Sequence, residues 1–162
     1  MNEVVSRALD ELAALWRTER SAAREQFASE RKATSLARRV ARGLALDDLV
    51  VAEVLAAPRD RVKVALVLPD GVNLDVVRLG PGDPVRIGAG EHGPWVRGVM
   101  LRGGGGRVWM MADTDLPEEI VYGRAVIEAE APEVTFDRGD HAIAKARAQK
   151  GAMASYLEVL FG

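Results

Sequence analysis

From Asn2 to Arg42 the chain contains neither proline nor glycine, and Ala, Leu, Arg and Glu dominate. That composition predicts one uninterrupted helix, roughly 60 Å long at 1.5 Å per residue. Val5, Leu9, Leu12 and Leu15/Trp16 recur at spacings of three and four and share one apolar stripe. The stripe then thins: beyond Trp16 the larger apolar residues are Phe27, Leu36 and Val40, with Ala22, Ala23 and Ala28 between. The first half of this rod therefore needs a partner. Gly43 is a natural stop for it, while Thr34-Ser35 offers an alternative, opening a separate short helix by side-chain capping.

Beyond Gly43 the pattern changes to short β-branched runs separated by turn-formers such as "APRD", "PDG", "GPGDP", "GAGEHG" and "GGGG". Strands are predicted near Leu49–Leu55, Arg61–Leu68, Asp75–Arg78, Pro84–Gly88, Trp95–Arg102, Arg107–Ala112 and Ala125–Glu130. Short strands so closely spaced predict a small antiparallel barrel, which removes its exposed edges by closing. After Pro132 the pattern is helical again, with Ile143, Ala146 and Met153–Phe161 on an Ala-rich background. A returning helix over roughly Arg138–Phe161 supplies the missing partner. It would run antiparallel to the first and bury Leu9, Leu12 and Trp16 against a face that includes Leu157 and Leu160. The predicted fold class is α+β: a small antiparallel barrel of OB/SH3-like type between two helices that pair as a stalk. The segments are 1–43, 44–131 and 132–162.

Composition narrows the chemistry. The 162 residues carry a formal net charge of -2, which excludes a globally basic nucleic-acid binder but not a local basic patch. There is no cysteine, hence no disulfide, thiolate zinc site or cysteine nucleophile. The two histidines, His92 and His141, stand far apart without metal-ligand spacing. The N-terminus lacks a secretory pattern and no apolar run approaches bilayer length. The expectation is a cytoplasmic protein that meets no membrane.

No G-x-x-x-x-G-K-[ST] loop occurs. The "LRGGGGRVW" stretch, Leu101–Trp109, lies between two strands and reads as a hairpin loop, although Arg102 and Arg107 beside it suit phosphate contact. Asp113, Asp115, Glu118 and Glu119 form an acidic cluster that follows a strand in a polar loop before Pro117, where carboxylates are ordinarily solvated. Arginines outnumber acids in the second half of the rod, whereas the barrel segment is acidic on balance. Within the barrel, Trp95, Arg97, Arg102, Arg107 and Trp109 interleave aromatic and basic side chains. Single-strand-binding surfaces use that composition for stacking and phosphate contact. The competing reading places both tryptophans in the barrel core.

The order of several local motifs resembles the N-terminal part of a superfamily-1 helicase of the immunoglobulin mu-binding-protein and nonsense-mediated-decay group. The stretches that carry the similarity are "SLARRVARGLALDDLVV" (Ser35–Val51), "PGDPVRI" (Pro81–Ile87), "GVMLRGGGGRVWMMADTD" (Gly98–Asp115) and "APEVTFDRGDHAIAKA" (Ala131–Ala146), the last with Thr135, Phe136 and Arg138 in place. The closing "LEVLFG" resembles the family's passage from the stalk helix into the first RecA-like domain. Ala131-Pro132 departs from the family's usual Ala-Asn.

The resemblance implies a barrel of the 1B type on a helical stalk, accessory to an ATP-dependent 5′-to-3′ DNA or RNA helicase. It further implies weak contact with single-stranded nucleic acid and RecA-like motor domains of the same parent as partners. ATP and Mg belong to that parent, whose nucleotide site is expected beyond Gly162, so no cofactor, metal or catalytic residue is assigned to this chain. From a different class comes the alternative of a non-enzymatic interaction module, associating through its helical pair or through the apolar C-terminal segment.

Overall fold

The structure is a computed structural model and describes residues 3–149 and 151–161. Among these residues the elements follow the order α1 (Glu3–Ala33), α2 (Leu36–Ala41), β1 (Ala45–Ala57), β2 (Arg61–Val67), a 3-10 turn (Leu74–Val76) and β3 (Pro84–Gly88). After these come β4 (Trp95–Gly104), β5 (Arg107–Ala112), α3 (Glu118–Tyr122), β6 (Ala125–Ala129), α4 (Glu133–Arg147) and α5 (Ala152–Phe161). Two compact units result, one from residues 1–26 and 132–162, the other from 27–131. Helix α1 contributes to both.

The long helix is shorter than its composition predicts. It ends at Ala33, and Ser35 opens α2 by accepting a hydrogen bond from the Arg38 amide. A capping serine satisfies an amide that helix geometry leaves orphaned, which favours a fresh start over continuation. The N-terminal residue of the expected rod, Asn2, and the last residue of the expected linker, Gly162, lie outside the described residues.

In the helical unit α1 and α4 run antiparallel: Arg147 reaches the Leu9 carbonyl and Asp10, Trp16 meets Phe136, and Arg20 meets Glu133. Val5, Leu9 and Ala13 are buried at intervals of four, and Phe136 and Ile143 answer from α4. Trp16 meets Phe136 in a tilted ring contact, 58° between planes and 5.2 Å between centroids, and donates from Nε1 to the Phe136 carbonyl at 3.0 Å. The stripe thins beyond this point because its next position is Arg20, whose guanidinium bonds Glu133, Asp137 and Asp140 of α4. Ion pairs take over the helix seam where apolar contacts stop. Two expected stalk contacts are corrected: Leu12 is 41% exposed and Leu160 is 74% exposed. Leu157 is half-buried. The predicted single returning helix is two, because Ala148 caps α4 and Gly151, at φ +68°, precedes α5.

The other unit is a closed antiparallel barrel with strand order β1-β2-β5-β4-β3-β6. Strand β1 is long enough to pair with both β2 and β6, and bends through register shifts at Val51/Glu53 and Leu46/Leu49. Bulges of this kind let one strand turn the corner of a small barrel. The interior is filled by Leu49, Val64, Leu66, Val85, Ile87, Met110 and Ile127, all essentially inaccessible to solvent. The glycine-rich stretch is a hairpin turn between β4 and β5, with Gly105 and Gly106 both at positive φ, +61° and +73°. Glycine adopts that pair of conformations without the steric cost a β-carbon brings. Two local expectations fail. Asp75–Arg78 begins in a 3-10 turn, where the Asn73 side chain accepts from the Asp75 amide, and the region around Glu118 is the short helix α3, which buries Ile120.

Candidate nucleic-acid interface

The barrel's alternation decides which side chains point outward. On β5, Val108, Met110 and Ala112 face the interior, so Arg107, Trp109 and Met111 lie on the outside. Trp109 sits opposite Arg102 on β4 and Ala65 on β2. Its ring is flanked by two cations: Lys63 Nζ lies 4.6 Å and the Arg102 guanidinium carbon 5.7 Å from the ring centroid. Arg107 stands two residues away on the same face, at the hairpin, and is exposed along with Arg102. A half-buried aromatic ring with two cations over it combines a π-surface with charges suited to phosphate oxygens. Lys63 escaped the sequence reading. The signal was its position in β2, across the sheet from a tryptophan some forty-six residues later, a pairing that only the strand order creates.

Trp95 and Arg97 belong to a different patch. Trp95 is half-buried against Leu36, Ala45 and Val126, a small apolar cluster on the outside of the barrel. The Arg86 guanidinium carbon lies 3.9 Å from its ring centroid. Neither tryptophan is part of the barrel's main interior cluster, so the core reading of both is corrected. Arg97 faces Glu130 at 3.8 Å. Of the five residues singled out from the sequence, the fold thus brings together Arg102, Arg107 and Trp109, and directs Trp95 and Arg97 to structural contacts.

Around Trp95 lies an ion cluster with no counterpart in the sequence reading. Glu128 is almost wholly buried on β6, inside the apolar run "AVIEA". It accepts from Arg86 Nε at 2.7 Å and Arg39 Nε at 3.1 Å, with Arg86 Nη2 also bound and Arg31 Nε at 3.5 Å. Arg31 also bonds Glu130 at 2.6 Å. Arg39 in addition donates to the Arg31 and Thr34 carbonyls at the end of α1. The cluster ties the end of α1 and the start of α2 to the barrel wall. A lone glutamate in an apolar strand was the available signal, since burial of a carboxylate demands partners.

In the helical unit, the hydrogen bond from Arg24 and then the bond and charge of Arg20 outweigh desolvation and hold the Glu133 carboxyl down to about 2. At the barrel edge, desolvation raises Asp113 against the pull of Arg61 and Arg97. Its acidic neighbours assemble no metal site: among the described residues no group of three or more His, Cys, Asp or Glu is placed to hold a metal ion. The glycine-rich hairpin joins two strands rather than a strand and a helix. No helix among the described residues is long and apolar enough to cross a membrane. No protein-family model matches the chain, and no curated protein matches it.

Proposed function

We propose that this chain is the stalk and barrel accessory region of an ATP-dependent 5′-to-3′ helicase, and that its barrel grips single-stranded nucleic acid on the outer β2–β5–β4 face. The observation that carries the reading is Trp109 between Lys63 and Arg102, with Arg107 beside them. A base stacked on Trp109 leaves the flanking phosphates within the range of three cations. On the opposite wall, around β3 and β6, Trp95 packs against α2 and Arg86 is held by Glu128, so that aromatic–cation pair is engaged in structural contacts. The sequence motif order supplies the helicase context, and the antiparallel pairing of α1 with α4, with the barrel strands between them in the sequence, suits it. In that reading ATP turnover belongs to the parent's RecA-like motor, and this chain supplies grip.

The test is anisotropy of a labelled single strand, titrated at low and moderate salt. Trp109→Ala is expected to lose about 1–3 kcal/mol, and the Arg102→Ala/Arg107→Ala pair to weaken binding and flatten its salt dependence. Binding unchanged in both variants would remove this face from consideration.

A second reading has its own observation. Helix α5 exposes Met153, Tyr156, Val159 and Leu160, a surface suited to protein association. Tight self-association in sedimentation without strand binding would favour an interaction module over the helicase reading.

A further inference from the structure

We propose that the cavity walled by the end of α1, α2 and β6 binds a phosphate group. The cavity has a volume of about 330 Å³ and is lined by Phe27, Arg31, Thr34, Arg39, Arg42 and Glu128, with Glu30 also in its wall. That size lies at the lower end of small-molecule sites. It lies in the barrel unit, apart from the Trp109 face, and does not depend on the helicase reading.

The argument rests on charge. Glu128 and Glu130 are shared among Arg31, Arg39, Arg86 and Arg97. Of these, Arg31, Arg39 and Glu128 line the cavity, where Arg42, exposed and without an ion pair among the described residues, adds a third guanidinium and Glu30 a second carboxylate. Three arginines against two glutamates leave one positive charge in excess along the lining, in a protein whose overall charge is -2. Arg31, Arg39 and Arg86 are largely shielded from water, with side chains 19%, 12% and 18% exposed. Excess cations beside a low-dielectric wall focus a field that attracts an anion. Guanidinium forks match phosphate oxygens better than any other side chain. Arg39 spends its donors on Glu128 and the α1 carbonyls, so it sets the field, while Arg42 has its fork free for the ligand. Phe27, with the Arg31 guanidinium 5.9 Å from its ring centroid, gives the cavity an apolar side that suits the ring of a nucleotide.

The experiment titrates inorganic phosphate, and separately a nucleoside 5′-monophosphate, into the full chain at constant ionic strength held with chloride, read by calorimetry and thermal shift. The expected result is saturable phosphate binding that Arg42→Ala weakens at least tenfold. Because Arg42 carries no ion pair among the described residues, this variant keeps the fold. Arg138→Ala, which removes one exposed charge from α4, serves as the control and should bind as the parent does. Tighter binding of the monophosphate than of phosphate supports a nucleotide source, and parity supports free phosphate. Absence of saturable binding, or equal losses in Arg42→Ala and Arg138→Ala, would overturn the proposal.

Discussion

Replacing Glu133 by Gln removes the charge that both Arg20 and Arg24 hold, while keeping the side chain's shape. The carboxyl lies at the start of α4 with its side chain 11% exposed, Arg20 Nη2 at 2.6 Å and Arg24 Nε at 2.5 Å. Folding takes its titration from 4.5, the value of a free glutamate, down to about 2. A shift of that size corresponds to a ceiling of about 3 kcal/mol. Arg24 is half exposed and Asp137 and Asp140 remain as partners for Arg20, so solvent screening and re-pairing lower the expected loss to about 2 kcal/mol. The sign follows from the direction of the shift. A carboxylate depressed in the folded state contributes in full above pH 4.5, and its contribution declines as pH falls towards 2. Urea unfolding followed by far-UV circular dichroism, at pH 7 and again at pH 2.5, measures the difference between the parent and Glu133→Gln. The gap should be open at pH 7 and shrink to about a quarter of that size at pH 2.5. A gap of the same size at both values would show that shape rather than charge is lost, and no gap at pH 7 would show that the ion pairs contribute nothing.

Glu128→Gln should be costlier, about 3 kcal/mol or more, because arginines on α1, α2 and β3 lose the charge that justifies their burial; tryptophan fluorescence in urea follows it through Trp95, and an unchanged midpoint would mean the arginines find water instead. Gly139→Ala places a methyl carbon 2.2 Å from the Trp16 ring, which is held by its bond to the Phe136 carbonyl. Overpacking of about 1–3 kcal/mol should outweigh the roughly 1 kcal/mol that alanine brings to a helix, and a thermal midpoint at or above the parent's would show that the ring moves freely. Together with the strand-binding and phosphate titrations, these variants sample the helical unit and both faces of the barrel.

The amino-acid order by itself carried the fold class, because hydrophobic periodicity is a local property. A period near 3.6 placed Val5, Leu9 and Trp16 on one stripe, and period-two runs bounded by Gly, Pro and Asp located most of the strands to within a few residues. The composition between β4 and β5 also announced a tight hairpin. What the order could not carry was which strand lies beside which, and hence which charges meet. Lys63 becomes a flank of Trp109 only because β2 pairs with β5, and Glu128 becomes a buried hub only because β6 closes against β3 and β1 while α2 lies over them. Arg20 falls where the apolar stripe thins, and only α4 brings three carboxylates to it. Alternation says whether a side chain faces in or out. The identity of its neighbour, and with it the cost or value of its charge, belongs to contacts between residues tens of positions apart, which chain closure alone decides.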